Sequence, residues 1–380
     1  KAVKEAVGLR AIDEKTLEIS LVGPVAYAID MMAHYSFAPL PLHAMEKFGS
    51  DWIKPGNFVG NGPFVLENWV PQEKVTVIPN EKYWNKKNVF LSRITFLPIE
   101  NETTAHQKYK NGELDWGTSV PLDMLDEIKL RDDYQVSPQL SSYYYYINMN
   151  DPILKDVRVR KALTMALDRQ ELVDKVTKAG QIPANAFCPP MPGYTPAKGN
   201  AYNVAEAQKL LAEAGYPNGK GFPKMTVIYN TNEGHKKIAE WVQQAWKKTL
   251  NIDIELANLE WATFLDTRQS NNFQIARAGW VGDYQDASNF LELVTTTSGN
   301  NDGRYSNPEY DALIAQAATM PAGEARMKVL MQAEEILMTQ DQCLIPFYYY
   351  VSQNMIDLTK WDGWYTNTLD IHPYVGLKAK

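Results

Sequence analysis

Cysteine is scarce: this 380-residue chain has only Cys188 and Cys343. Two thiols cannot staple a fold of this size, so the protein must rely on a buried apolar core. Whether the two pair with each other or stay as buried thiols is open from the sequence. Histidine is sparse too, and His34, His43, His106, His235 and His372 show no helical metal-binding spacing. No apolar run approaches the ~20 residues that a bilayer-crossing helix needs. Basic charge is not in excess: 38 Lys and Arg against 45 Asp and Glu leave a net charge of −7. That balance excludes a broad nucleic-acid footprint. It also excludes a polybasic membrane surface. The common enzyme signatures are missing: no G-x-S-x-G elbow, no H-E-x-x-H, no phosphate-cradling G-x-x-x-x-G-K-[ST] and no G-x-G-x-x-G. The adjacent carboxylates Asp132-Asp133 and Glu334-Glu335 diverge along a helix or loop and are expected to be solvated. No cofactor, no metal and no enzymatic activity are implied.

Aromatic residues, by contrast, are plentiful, with 21 Tyr and 10 Trp. Amphipathic rings suit a protein that grips ligands, and they equally suit a large core. The length exceeds one ordinary core, so two or three domains are expected. The opening KAVKEAVGLRAIDEKTLEISLV reads as a helix end, a turn and a strand from Thr16 to Val22, like the middle of a domain. The expectation is a chain without its natural N-terminus. PFVLENW and KVTVIP read as two strands joined at Val70-Pro71-Gln72, and Leu91–Ile99 as another. Thr103–Asn111 reads as a helix ended by Gly112. The four tyrosines 143–146, followed by Ile147, are β-prone. Asp156 can cap one helix, and the boxes Asp168/Glu171 and Asn203/Glu206 can cap two more. A long helix is expected from Ala322 to Met338 and an apolar strand from Leu344 to Val351.

Between Met225 and Ala278 strands and helices alternate. Strand Met225–Asn230, helix His235–Leu250, strand Ile252–Ala257, helix Trp261–Gln269 and strand Phe273–Ala278 imply parallel pairing. Ligands bind beyond the carboxyl ends of such strands. His235, Trp261 and the pair Trp280 with Asp283 stand there, and they converge if the strands are neighbours. FQIARAGWVGDYQD (273–286) is the most informative stretch. Glycine admits a second backbone, Trp builds an apolar wall and Asp283 can hold a cationic group. The same residues also fit a core Trp and an Asp that caps the next helix.

An ordered set of segments resembles the extracytoplasmic oligopeptide-binding proteins, the family 5 solute receptors of ABC importers. It comprises NGPFVLENWVPQEKVTVIPNEKYW (61–84), DVRVRKALTMALDRQELV (156–173), LLAEAGYP (210–217), YNTNEGHKKIAEWVQQAWKK (229–248), LEWATFLDTR (259–268), ARAGWVGDY (276–284) and PFYYYV (346–351). The resemblance implies an α/β, periplasmic-binding-protein-like fold of type II, with two lobes, an interlobe ligand cleft and an additional domain largely missing from this chain. Residues 1–38 would end that additional domain. Residues 39–140 and 351–380 would form an incomplete first lobe, and 141–350 the second. The implied role is a non-enzymatic receptor, periplasmic or otherwise extracytoplasmic. It would deliver short peptides to importer permease subunits as a monomer, touching the membrane only through a lipid anchor outside this chain.

Carried over by position, Asp283 would accept the peptide α-ammonium. Gly279 and Val281 would offer main-chain groups, and Trp261 and Trp280 would wall side-chain pockets. Arg268, Arg277 and His235 would meet the peptide carboxylate, and Tyr144 and Tyr350 would line the cleft. The better-known enteric members have an acid where Tyr146 stands, a Lys where Thr177 stands, and a Cys pair where Ser141 and Val281 stand. Those departures put the preferred peptide length and side chains in question. The same fold could also serve another cargo (a dipeptide, a nickel chelate or a cell-wall peptide) or a sensory role.

Overall fold

Stretches rich in β-branched and aromatic residues alternate with capped amphipathic helices, and the fold follows that rhythm. The computed structural model describes residues 7–21 and 23–380. The helix end expected over residues 1–6 and the Val22 end of the first strand lie outside them. The chain forms two compact units. One gathers the residues up to His34, Leu140–Leu172 and Pro183–Tyr349; the other gathers Tyr35–Gln139, Val173–Ile182 and Tyr350–Lys380.

The first unit begins with a short antiparallel hairpin of Leu9–Ala11 and Leu17–Ile19. It then takes the Leu140–Ile147 half of strand β1 (Tyr134–Ile147). Helix α1 (Val157–Met165) starts where the Asp156 carboxylate accepts the Arg158 N–H, and α2 (Val204–Glu213) where Asn203 accepts the Glu206 N–H. Strand β2 (Met225–Asn230) leads into α3 (Glu233–Leu250), capped by Asn232, which accepts the His235 N–H at 3.0 Å. Strand β3 (Ile254–Leu259), helix α4 (Trp261–Gln269) and strand β4 (Ile275–Val281) complete the alternation. Helices α5 (Pro308–Ala318) and α6 (Glu324–Glu335) follow, and then strand β5 (Leu344–Ile356), whose residues to Tyr349 belong here. The sheet order is β3-β2-β4-β1-β5. β2 pairs in parallel with both β3 and β4, whereas β4 runs antiparallel to β1. The expected neighbours are therefore neighbours, with their carboxyl ends on one edge.

Strand β4 corrects one boundary. It was expected over Phe273–Ala278 but runs from Ile275 to Val281. Asn271, at φ 58°, turns the chain and delays the start. Pairing of Val281 with Ser141 carries the strand on at the other end. Trp280 thus lies inside the strand rather than past it.

All four tyrosines 143–146 are buried, because both faces of β1 are covered. Side chains alternate between faces along a strand. Tyr143 and Tyr145 meet Phe347, while Tyr144 meets Phe187 on the opposite face. Tyr144 donates to the Tyr146 hydroxyl, which donates to the Asn300 carbonyl at 2.8 Å. Below α3, the Trp246 indole donates to the Leu163 carbonyl of α1. Both cysteines are free and buried, and burial pushes both thiols up.

Glu334 departs most sharply from the expectation of a solvated carboxylate, because it is fully buried. It accepts from the amides of Phe187, Cys188 and Ala197 and from the Tyr194 hydroxyl, at 2.6–3.0 Å. Its helix turns it into a Pro-rich loop whose amides have no ladder to join, while Glu335 faces outward on the partly exposed side. Burial raises the Glu334 carboxyl, and those donors oppose the rise.

The second unit carries an antiparallel sheet of Phe64–Val70, Lys74–Pro79 and Ile94–Phe96. The turn between the first two strands places Gln72 at φ 60°. The third strand is shorter than the expected Leu91–Ile99, since Pro98 has no N–H to pair. Helix Glu102–Lys110 is capped by Asn101. Asp133 is not simply solvated: Arg131 and the Tyr109 hydroxyl both hold it. Val120, Leu125, Ile128, Val351 and Met355 form one apolar cluster, and Trp364, Leu377 and Ile356 another.

Candidate functional site

At the carboxyl end of β4 the backbone itself is the first feature. Gly282 N–H donates to the Leu140 carbonyl, and Asn148 N–H to the Gln274 carbonyl. In an antiparallel ladder alternate residues exchange both bonds with the partner strand. Gln274, Ala276, Ala278, Trp280 and Gly282 therefore aim their main-chain groups at β1. Gly279 and Val281 aim theirs the other way, toward the β2 side. There the parallel pairing covers only Ile275 and Ala276. The N–H and C=O groups of Gly279 and Val281 thus open along an edge with which no strand pairs among the described residues.

Two residues beyond that edge stands Asp283, its side chain 41% exposed and its Oδ1 3.4 Å from His34 Nε2. The loop is held from beneath by buried Asn289. Its Oδ1 accepts the Trp280 indole N–H at 2.8 Å and the Asp283 main-chain N–H at 3.2 Å. Next along, Tyr284 stacks on Tyr27 at 4.3 Å. Tyr27 donates to Glu292, and the Arg326 guanidinium lies 5.5 Å over its ring. Arg326 in turn makes a buried two-pronged ion pair with Asp286 at 2.6 and 2.9 Å. A two-pronged pair fixes orientation as well as charge. The strand-end loop is therefore built rather than loose.

The expected cations do not form one cluster. Arg277 reaches toward Asn230 at 3.4 Å and lies 5.0 Å over the Tyr143 ring. His235 shares that face, with Nδ1 3.4 Å from the Tyr143 hydroxyl. Burial and then Arg277 push its imidazole down to about 2, so at neutral pH it is not the cation the sequence suggested. Arg268 lies on the opposite face, over the rings of Tyr146 and Phe264, and is already paired with Asp302 at 2.6 Å. Trp261 opens α4, half-exposed and stacked on Phe264. Val281 is 47% exposed. Tyr144 is wholly buried and presents no surface, and Tyr350 lies half-buried in the second unit.

The departures from the family pattern have structural partners. Tyr146 is locked to Asn300, and Thr177 bonds to Gln181 in the second unit. Ser141 and Val281 stand directly opposite each other in the β1–β4 ladder. Such a cross-strand pair brings its Cα atoms within the reach that a cysteine pair would need. Asn289, His34, Tyr27 and the Arg326–Asp286 pair were not found from the sequence. Among the described residues no cluster of three metal-ligating side chains occurs, and no helix is long and apolar enough to cross a membrane.

An α/β unit that ends its parallel strands on open main-chain groups, one acid and an indole offers the groups that hold a solute. Residues 2–302 match the bacterial extracellular solute-binding proteins, family 5 (middle), and the chain belongs to that family. It is 37% identical over 374 residues to the periplasmic oligopeptide-binding protein OppA of Escherichia coli K12, covering 95% of this chain and 67% of that protein. The periplasmic murein peptide-binding protein MppA of the same organism is 39% identical over 366 residues, covering 94% and 67%. Among solved structures, OppAIV of Borrelia burgdorferi superposes with a TM-score of 0.92 at 39% identity, covering 99% of this chain and 76% of that one. Haemophilus influenzae OppA in complex with RPPGFSPFR gives 0.89 at 34% identity, covering 98% and 75%. The resemblance read from the sequence holds, and so does the α/β, periplasmic-binding-protein-like fold.

Proposed function

We propose that the chain is the receptor of a peptide ABC importer and that it captures short peptides as an added strand. The observation that carries this reading is the open edge at Gly279 and Val281, ending at Asp283. Alternate residues of an extended chain repeat every ~7 Å, so the two outward pairs of N–H and C=O match two alternate residues of an extended ligand. Main-chain bonding of this kind is blind to sequence. Gly279 has no side chain to hold a second backbone off. Asp283 takes the α-ammonium and fixes the register. Trp280 and Trp261 wall the side-chain positions. Arg277 is the cation for the peptide's carboxyl end, and neutral His235 serves beside it as a hydrogen-bonding group. Arg268, balanced by Asp302, contributes after exchange of partners. Tyr144 acts by packing, and Tyr350 offers a half-buried ring.

The protein binds without turnover and works outside the cytoplasm as a monomer that hands cargo to permease subunits. Calorimetry with tri-alanine and N-acetyl-tri-alanine tests the reading. Acetylation, and separately Asp283→Asn, removes a charge-assisted bond worth roughly 1.5–3 kcal/mol, a loss of about 10- to 150-fold in affinity. Equal affinity for the two peptides refutes the role of Asp283.

A further inference from the structure

His34 points its Nε2 at the very carboxylate that the peptide's amino terminus needs. The two side chains are 3.4 Å apart, 22% and 41% exposed, and lie within one unit. We propose that His34 is a displaceable counter-ion: it occupies Asp283 while the site is empty, and the incoming ammonium takes its place. The inference rests on the role given to Asp283 above. It adds a residue that no ligand contact requires, one that sets how the affinity answers to acidity.

The surroundings make the contact a designed one. Tyr27, on the same segment, is clamped by the Tyr284 stack, the Glu292 hydrogen bond and the Arg326 guanidinium. That clamp fixes the segment bearing His34 to the loop bearing Asp283. The charged and titratable groups that contacts tie to the His34 segment and the Asp283 loop are Tyr27, Tyr284, Glu292, Asp286 and, from α6, Arg326. Arg326 is already matched by Asp286, and burial raises the Glu292 carboxyl. His34 is thus the ionisable side chain in direct contact with Asp283, 3.4 Å from its Oδ1. An imidazolium there rivals the ammonium, and a neutral imidazole yields. Once imidazolium dominates, the apparent Kd rises about tenfold per pH unit, the slope of one proton per site.

The experiment is calorimetry of tri-alanine binding to the whole chain at pH 6 and pH 7.5, each in two buffers of different ionisation heat. At pH 6 the peptide amino group is already protonated, so a released proton comes from the protein. The expected result is proton release at pH 6 in the wild type and much less in His34→Gln. That variant should bind more tightly than the wild type at pH 6, with the gap narrowing at pH 7.5. Buffer-independent heats in the wild type overturn the inference without needing any variant. So does weaker binding by His34→Gln at both pH values, which marks His34 as a support rather than a rival. Full binding of N-acetyl-tri-alanine removes the Asp283 role itself, and this inference with it.

Discussion

Replacing Asn289 by alanine isolates what holds the strand-end loop in shape. One carbonyl oxygen, on a side chain only 6% exposed, accepts both the Trp280 indole and the Asp283 amide. An unsatisfied buried donor costs about 1–3 kcal/mol. The indole is partly exposed and can turn to water, so the loss of stability should lie near 2 kcal/mol. The loss in binding has a different origin. With its amide released, Asp283 no longer stands at a fixed distance from the Val281 edge, and about 1.4 kcal/mol of oriented ion pairing, a factor of ten in tri-alanine affinity, should go. N-acetyl-tri-alanine, which never used Asp283, should bind the variant and the wild type alike. Asn289→Asp keeps an acceptor of the same shape and should retain the slow hydrogen exchange of the loop that Asn289→Ala loses. The assay pairs hydrogen exchange over residues 280–289 with calorimetry. Unchanged exchange and unchanged affinity in Asn289→Ala would refute the clamp.

Two further outcomes concern buried ionisable groups. His235 is held neutral, its folded value near 2 against an ordinary 6.5. A depressed value means that the folded state resists a proton which the unfolded chain accepts. Its contribution is therefore intact above pH 6.5 and is lost as pH falls, at about 1.4 kcal/mol per unit. Urea unfolding at pH 6.5 and 4.5 should show roughly 2.5 kcal/mol of this loss, absent in His235→Gln; an equal loss in both would refute it. Glu334→Ala strands three amides and a phenol in the interior and should cost about 3–5 kcal/mol, whereas Glu334→Gln keeps one acceptor and should cost about 1–3. Denaturant midpoints check the order, and a silent Glu334→Ala would show that the loop finds other partners.

The helix starts after Asp156 and Asn203 were legible because a capping residue stands at each. Asn232, which caps α3, was not read, and that helix starts at Glu233 rather than His235. Asp283, Trp280 and Gly279 were legible because three residue types with distinct uses stand together at a strand end. What the sequence hid is set by distance along the chain. His34 meets Asp283 across some 250 residues, and Glu334 meets Phe187 across 147. No local pattern distinguishes Glu334 from its solvated neighbour Glu335. The charge state of His235 was hidden for the same reason, since it depends on burial and on Arg277 rather than on its own segment.

An unpaired strand edge is ordinarily a liability, since it invites any other strand to add. Sheets elsewhere blunt such edges with charge or cover them. Here the edge is two residues long, runs from a glycine and stops at an acid that already has an imidazole beside it. A chance hydrophobic strand gains two main-chain pairs there but must leave Asp283 with its counter-ion or expose it. On the proposed reading, a peptide that brings its own ammonium would gain the same pairs and replace the imidazole. Selection would then fall on the end of the ligand, while the main-chain bonds stay indifferent to its sequence. Moving the acid by one residue would turn its side chain to the other side of the strand direction and uncouple the two effects. For that reason the spacing from Gly279 to Asp283, more than either residue alone, defines the site.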